Sequence, residues 1–332
     1  MLKDVLARWL RPRAIGTTAS LANLLYNFSL EVMPKTLARV DDIEGFLPKG
    51  TRVYIACVAG TDIADMVAAA RRLNDSGYTA MPHIPARMIR DRSEFRSWLT
   101  RYRDEAGVTE ALVLAGGTKS HGGYTSSIEL LETGLFDQFG FRRLHVAGHP
   151  ERNGDIDPDG GDRNVFAALQ WKRDFAERTD AKMGIVTQFV FDARPVESWI
   201  ERLGREHIDL PIHVGIAGPA RLQTLIKYAI ACGIGPSMKI LQRRALDVTK
   251  LALPYEPTDV LTDFARMTGE VASAIECMHF FPLGGIGPCV EWIRRFHNAG
   301  HAGTWRERPR LLNDDTVPHR PELELRRVRD QA

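Results

Sequence analysis

Short apolar runs alternate along this chain with longer stretches in which apolar residues recur every three or four positions. The first run covers residues 27–33 and is stopped by Pro34, and the second covers 52–58 and is closed by Ala59-Gly60. A helix follows with Thr61 as the expected N-cap and Ile63, Met66, Val67, Ala70 and Leu73 on one face. The third run, 79–84, contains Pro82, which a strand tolerates only near its C-terminal end. After a helical stripe of Phe95, Trp98, Leu99 and Tyr102, the remaining runs fall at 110–114, 143–147, 183–191, 211–216 and 277–283. Leu222, Leu225, Ile226, Ala229 and Ile230 give a further amphipathic helix, and 237–251 reads as an extra helix before the last strand.

Eight strand-like runs, nearly all followed by a helix, predict parallel strands joined by helical crossovers. Eight such repeats favour an α/β fold of the closed (β/α)8 TIM-barrel type over an open doubly wound sheet. No G-x-G-x-x-G opens a helix after the first strand, which weighs against a dinucleotide-binding sheet. The expected organisation is an N-terminal arm or helix over 1–25, a barrel over 26–300 and a charged C-terminal tail over 301–332.

Composition changes this picture little. The 332 residues are 44% hydrophobic and 26% charged, as expected of a globular chain, and a net charge of +2 gives no ground for nucleic-acid binding. No apolar run reaches the roughly 18–20 residues of a membrane span. The first fourteen residues carry charges throughout and lack the uninterrupted apolar region of a secretory signal. Cys57, Cys232, Cys277 and Cys289 show no C-x-x-C spacing, so neither a zinc site nor a disulfide framework is expected, and free thiols suit a reducing cytoplasm.

Candidate chemistry gathers at the C-terminal ends of the strands, where barrels of this kind carry their active sites. Glu31 stands late in the first run, His83 ends the third, His149 ends the fifth and Gln188 lies within the sixth. Ala115-Gly116-Gly117 and Gly284-Gly285 close the fourth and eighth. Each has a structural alternative: a salt bridge for Glu31, a hydrogen bond within a core layer for Gln188, loop caps for the histidines and a tight turn for the glycines. Their common placement on one rim favours the functional reading. A glutamate buried at an apolar barrel mouth is expected to have its pKa raised by desolvation, so that it holds a proton to donate at neutral pH. There is no metal-ligand spacing, nucleophile elbow or phosphate-binding loop, so redox chemistry here would need an organic cofactor.

These same segments resemble the methylenetetrahydrofolate reductase family. Phe28-Ser29-Leu30-Glu31-Val32-Met33-Pro34 is similar to its S-L-E-F-F-P-P, Ala80-Met81-Pro82-His83 to its A-P-H, and Thr187-Gln188-Phe189-Val190-Phe191-Asp192 to its T-Q-F-F-F-D. His213-Val214-Gly215-Ile216 parallels I-P-G-I, and Phe280-Phe281-Pro282-Leu283 parallels the final strand, with order held from about residue 27 to 298. The resemblance implies a cytoplasmic homo-oligomeric enzyme of one-carbon metabolism that reduces 5,10-methylenetetrahydrofolate to 5-methyltetrahydrofolate. In the family, hydride passes from NADH or NADPH through FAD. It further implies Glu31 as general acid, with Gln188, Phe189, Leu222 and Gly285 on the folate. His83, Ala115, Gly116, Gly117, Tyr124, Thr125, His149, Asn153 and Lys172 would line the flavin, Lys172 near its phosphates.

The chain also departs from the family pattern. Leu114-Ala115-Gly116-Gly117 replaces L-R-G-D, removing an arginine and an aspartate, and Gly284-Gly285 replaces an Asn-Arg after the last strand. Only Pro150-Glu151 survives of the loop after the fifth strand, and an acidic insertion covers 155–162. These losses keep two alternatives open: direct hydride transfer from nicotinamide to folate without flavin, and a paralogue that binds folate or flavin without turnover.

Overall fold

A computed structural model describes residues 18–117, 122–233, 241 and 254–300. Eight parallel strands close into a barrel in sequence order: β1 Phe28–Val32, β2 Arg52–Ile55, β3 Thr79–Pro85, β4 Glu110–Leu114, β5 Arg143–Gly148, β6 Lys182–Thr187, β7 Ile212–Ala217 and β8 Ile275–Phe281. Closure is made by β8 against β1, with Ser29 opposite His279. The (β/α)8 barrel expected from the alternation of runs is the fold observed.

Helices cover the outside. α1 (Thr18–Leu24) precedes β1, and a single turn, α2 (Pro34–Leu37), follows it. The crossovers then carry α3 (Ile63–Asp75), α4 (Arg92–Ala106), α5 (Ser127–Glu132) with α6 (Leu135–Gln138), α7 (Arg163–Ala176) and α8 (Ala193–Arg205). Among the described residues, three helices lie between β7 and β8: α9 (Leu222–Ala231), α10 (Thr258–Phe264) and α11 (Gly269–Ala274), and α12 (Ile286–Gly300) follows β8. The end of the predicted arm is thus helical, and α1 packs against α12. The remainder of the arm, the predicted helix at 237–251 apart from Leu241, and the tail from 301 lie outside the described residues.

Strand alternation sorts the side chains into two cores. Leu30, Val53, Ile55, Ala80, Val113, Val146, Ile185, Val214, Ile216 and Phe280 face outward and pack under the helices in one continuous cluster. Tyr54, Met81, Leu112 and Val186 form a separate apolar group inside the barrel. Local signals behave largely as their chemistry requires. The cap of α3 is Asp62, whose carboxylate accepts from Ala64 N at 2.8 Å, while Thr61 turns its hydroxyl to Val58 N. The N-cap therefore sits one residue later than the sequence suggests. Pro82 sits in the interior of β3, opposite Ile55, so the strand runs on through it to Pro85. Strand β6 stops at Thr187, four residues short of the predicted end, which puts Gln188 just past the strand.

One irregularity governs the site. Ile212 pairs with Ile275 but His213 pairs with Cys277, so Glu276 is an extra residue on β8. Such a bulge re-aims side chains, and here both Glu276 and Cys277 reach interior partners: Arg143 and His213 for the first, Ser29 for the second.

Candidate active site at the barrel mouth

Glu31 is the second-last residue of β1, with its side chain 20% exposed at the C-terminal mouth. Two imidazoles converge on its Oε2: His83 Nε2 from β3 at 3.3 Å and His279 Nε2 from β8 at 3.9 Å. Burial pushes the Glu31 carboxyl up, but hydrogen-bonding and charge interactions with His279 and His83 pull it down to about 2. The expectation of a carboxyl raised by desolvation is therefore reversed. A carboxylate at an apolar mouth would have been raised; with His83 and His279 beside it, this one is held ionised.

Below Glu31 the barrel interior is polar. Ser29 Oγ lies 2.9 Å from His279 Nδ1 and 3.2 Å from His213 Nδ1. Tyr54 OH lies 2.6 Å from His145 Nδ1 and 3.0 Å from His213 Nδ1. Desolvation lowers all three buried histidines, His145 well below the usual imidazole range and His213 to about 4, so they are neutral at pH 7. At the opposite, N-terminal end, His213 Nε2 stands 3.5 Å from Glu276 Oε2. Arg143 lies 3.3 Å and Arg52 3.6 Å from the same carboxylate, and Arg52 also pairs with Glu110 at 2.7 Å.

His145, His213 and Glu276 bring their ligand atoms within 4.8 Å of one another, the spacing of a metal centre. The surroundings do not fit a cation. Glu276 is already neutralised by two guanidiniums that would repel one, and a Cβ at Gly184 would stand 2.6 Å from His145 Nε2, so that nitrogen faces the β6 backbone. The group is a hydrogen-bonded network with an ion-paired base.

The other predicted residues divide between two sides of the mouth. On the side of β4 and β5, Gly116 takes φ +94°, a left-handed conformation suited to glycine, and its carbonyl with that of Thr125 accepts from Arg87. Ala115 O receives Arg87 N, and Gly117 is exposed. Tyr124 is half-buried against Phe95, while the Thr125 amide and hydroxyl are taken by Glu129. Asn153 donates to His149 Nδ1 at 3.4 Å. Lys172, buried on α7, is lowered to about 8 by desolvation, and among the described residues no carboxylate pairs with it. Burial and the nearby Lys172 charge lower His149 to about 4.

On the side of β6 to β8, Gln188 Oε1 folds back to accept from the Phe189 N–H at 3.1 Å. Phe189 and Leu222 are buried with Phe191, Ala217, Leu225 and Phe281 in a second apolar cluster. Both therefore act here as packing beneath the rim. Gly285 takes φ +115° in the turn before α12.

Sequence reading missed Ser29, Tyr54, His145, His213, Glu276 and His279 as a unit. The period-2 pattern held a signal for five of them, since each is the inward member of its strand. The bulge hid Glu276.

No family model matches the chain. Among solved structures, a putative NAD-dependent epimerase/dehydratase from Bacillus halodurans aligns at 17% identity and a TM-score of 0.22, over 42% of this chain and 71% of that one. An overlap that slight bears on neither the fold nor the chemistry. Among the described residues no helix is long and apolar enough to cross a membrane.

Proposed function

We propose that this protein reduces 5,10-methylenetetrahydrofolate to 5-methyltetrahydrofolate with NADH or NADPH, with FAD as the hydride carrier and Glu31 as the proton donor. The observation that carries the reading is the convergence of His83 and His279 on one oxygen of Glu31 at the end of β1. A proton-transfer group is thereby fixed on the rim where barrel chemistry occurs. Its position within Ser29-Leu30-Glu31 and the match around Thr187-Gln188-Phe189 support the choice of folate.

When bound, the flavin would supply hydride transfer between nicotinamide and folate. The residues that would hold it lie toward β4 and β5: Lys172 and His149 near its phosphates, with Tyr124 and the Ala115–Gly117 turn against the ring. A buried lysine with no carboxylate partner among the described residues suits an anionic group. On the opposite side, the amide of Gln188 can donate to the pterin edge. Glu31 is ionised in the free protein. A ring system laid over the mouth removes the remaining water from it and raises its proton affinity. The protonated carboxyl then donates to the folate nitrogen as the imidazolidine ring opens, and His83 and His279 receive the restored carboxylate.

Direct hydride transfer from NADH without flavin is the second reading. It is favoured by the placement of His83, the residue matched to a flavin contact, 3.3 Å from Glu31. The absorbance spectrum of the purified protein, before and after anaerobic NADH, separates the two. A yellow protein that NADH bleaches supports the flavin route, and a colourless protein that turns over the folate supports the direct route. Absence of any folate turnover sinks both.

A further inference from the structure

We propose that Arg87 is the positioning residue of the β4 and β5 side of the mouth, clamping the loop after β4 and the acidic insertion after β5 onto the turn after β3. What those loops then bind, an anionic cofactor beside Lys172, rests on the proposed function. The clamp itself does not.

The chain leaves β3 through a single 3-10 turn, Ala86–Met88, which sets the Arg87 side chain, 21% exposed, between the two loops. Each nitrogen of its guanidinium has a separate partner. Nε donates to Thr125 O at 3.1 Å, Nη1 donates to Gly116 O at 3.1 Å, and Nη2 lies 2.8 Å from Asp155 Oδ2. The backbone is tied as well: Arg87 N donates to Ala115 O at 2.9 Å, and Gly123 N donates to Arg90 O at 2.7 Å. So close an approach requires glycine. A Cβ at Gly122 would stand 2.2 Å from Arg90 Cα, and one at Gly116 would stand 3.1 Å from Pro85 Cβ. A planar fork of donors serves two carbonyls and a carboxylate at once, whereas a lysine ammonium in its place is one point charge and cannot span all three.

On the β5 side the clamp reaches the site through the insertion. That segment is braced within itself: Arg152 donates to Gly160 O at 2.7 Å, and buried Asp157 accepts from Asn164 N and Val165 N at 3.0 Å at the start of α7. Asp159 takes Gly161 N, and Asp162 pairs with Arg202 of α8 at 2.6 Å. Asp155 turns instead to Arg87. Its own N–H donates to Asn153 Oδ1 at 2.9 Å, which fixes that amide and leaves Nδ2 to donate to His149 Nδ1 at 3.4 Å. His149 is neutral at pH 7, so its one proton lies on Nε2, and the ring offers a donor close to the Lys172 charge. An N–H donor and a buried ammonium brought together suit a phosphate-type anion. Arg87 therefore sets the geometry of that pair through Asp155, Asn153 and His149.

The test reads loop order first and binding second, on the full-length protein. In Arg87→Lys, amide hydrogen exchange should speed up about tenfold on both sides, at Gly123 and at residues 155–157. FAD, followed by its fluorescence, should bind about tenfold more weakly, because only the closed fraction of the loops is competent. Asp155→Asn keeps both carbonyl contacts, so exchange should rise at 155–157 and hold its wild-type rate at Gly123. Asp155 is 61% exposed and such pairs are weak, so FAD affinity should fall by only about two- to fivefold. Two-bond 1H–15N spectra of labelled histidine should show His149 protonated on Nε2 in the wild type and as a mixture of ring forms in Asp155→Asn. Unchanged exchange in both loops of Arg87→Lys overturns the proposal, as does a uniform rise over the whole barrel, which would mark a merely structural role. Normal FAD affinity in a variant whose loops have opened, or wild-type His149 protonated on Nδ1, also overturns it. If Arg87→Lys fails to fold, Asp155→Asn decides by the split between its two loops. Wild-type protein that shows these loop patterns and binds no FAD rejects the flavin reading alone, since exchange and tautomer are read without cofactor.

Discussion

Two glutamates mark opposite ends of the same barrel interior, each beside an imidazole from a neighbouring strand, and they differ only in what else surrounds them. Glu276 at the base has Arg52 and Arg143 within 3.6 Å, whereas Glu31 at the mouth has His83 and His279 and, among the described residues, no arginine or lysine in ion-pair range. Both carboxyls are held near 2. Guanidinium cannot release its proton in a protein, so the base is a permanent ion cluster. Imidazole carries no such permanent charge, so the protonation of Glu31 at the mouth can change. On the proposed function, the same pair of residue types is thus structural at one end and chemical at the other, and the partners decide which.

That contrast predicts a crossed result for two conservative variants. Glu31→Gln should lower folate reduction by about 10²- to 10⁴-fold, the usual worth of a general acid. It should leave nicotinamide oxidation by an artificial acceptor intact and the melting temperature close to that of wild type. Steady-state assays with both acceptors check it. Folate reduction within a few-fold of wild type would remove Glu31 from the mechanism.

Glu276→Gln should do the reverse and damage the fold first. It leaves Arg52 and Arg143 with Glu110 alone, and breaking a largely buried ion cluster costs about 3 kcal/mol. The pH dependence carries a sign. Burial raises Glu276, and His213, Arg143 and Arg52 lower it from 4.5 to about 2, so its stabilisation is complete above 4.5 and is lost as pH falls toward 2. Urea unfolding at pH 7 and pH 3 should show the difference between wild type and variant shrinking at the lower pH. A constant difference would mean that the charge is not what Glu276 contributes.

Lys172 sharpens the comparison from a third direction, because among the described residues it is a buried cation with no carboxylate partner. Desolvation lowers it from 10.5 to about 8, so the folded protein carries a penalty below pH 8 that is relieved as pH rises to 10.5. Lys172→Met should therefore raise stability at pH 7 by about 2–3 kcal/mol, with the gain disappearing above pH 10. Under the flavin reading it should also weaken FAD binding, measurable by fluorescence. A variant that binds FAD normally would take Lys172 out of the phosphate site.

The barrel was legible because strand period, helical period and turn residues agree over eight repeats. Glu31 and His83 were legible because each polar group interrupts an apolar run at its C-terminal end, where the fold exposes side chains. The interior network was not. Ser29, Tyr54, His145 and His213 alternate correctly with outward apolar residues, yet one strand does not reveal which interior neighbours it will meet across the barrel. Burial pattern alone also gave Glu31 the wrong shift, since desolvation was foreseeable and the second imidazole, His279, was not. Glu276 was invisible for a different reason: the bulge on β8 breaks the period by which inward residues are found.

The smallest expected effect separates the chemistry of the network from its packing. A Cβ at Gly184 would stand 2.6 Å from His145 Nε2 and 2.9 Å from its Cδ2, and the ring is tethered on its other side by Tyr54 at 2.6 Å. Gly184→Ala must therefore push the imidazole off β6 or bend the strand, costing about 1–2 kcal/mol of overpacking. His145 is the member of the network farthest along the hydrogen-bond chain from Glu31, behind Tyr54, His213, Ser29 and His279. If the mouth depends only on its immediate partners, the variant loses stability and keeps its activity at saturating folate. If the interior contacts reach the mouth, displacing His145 disturbs Tyr54, His213, Ser29 and His279 in turn and alters the surroundings of Glu31. The optimum for folate reduction then shifts in pH while the melting temperature falls by only a few degrees. A pH–rate profile of Gly184→Ala beside wild type distinguishes the two, and an unchanged profile would confine the chemistry to Glu31, His83 and His279.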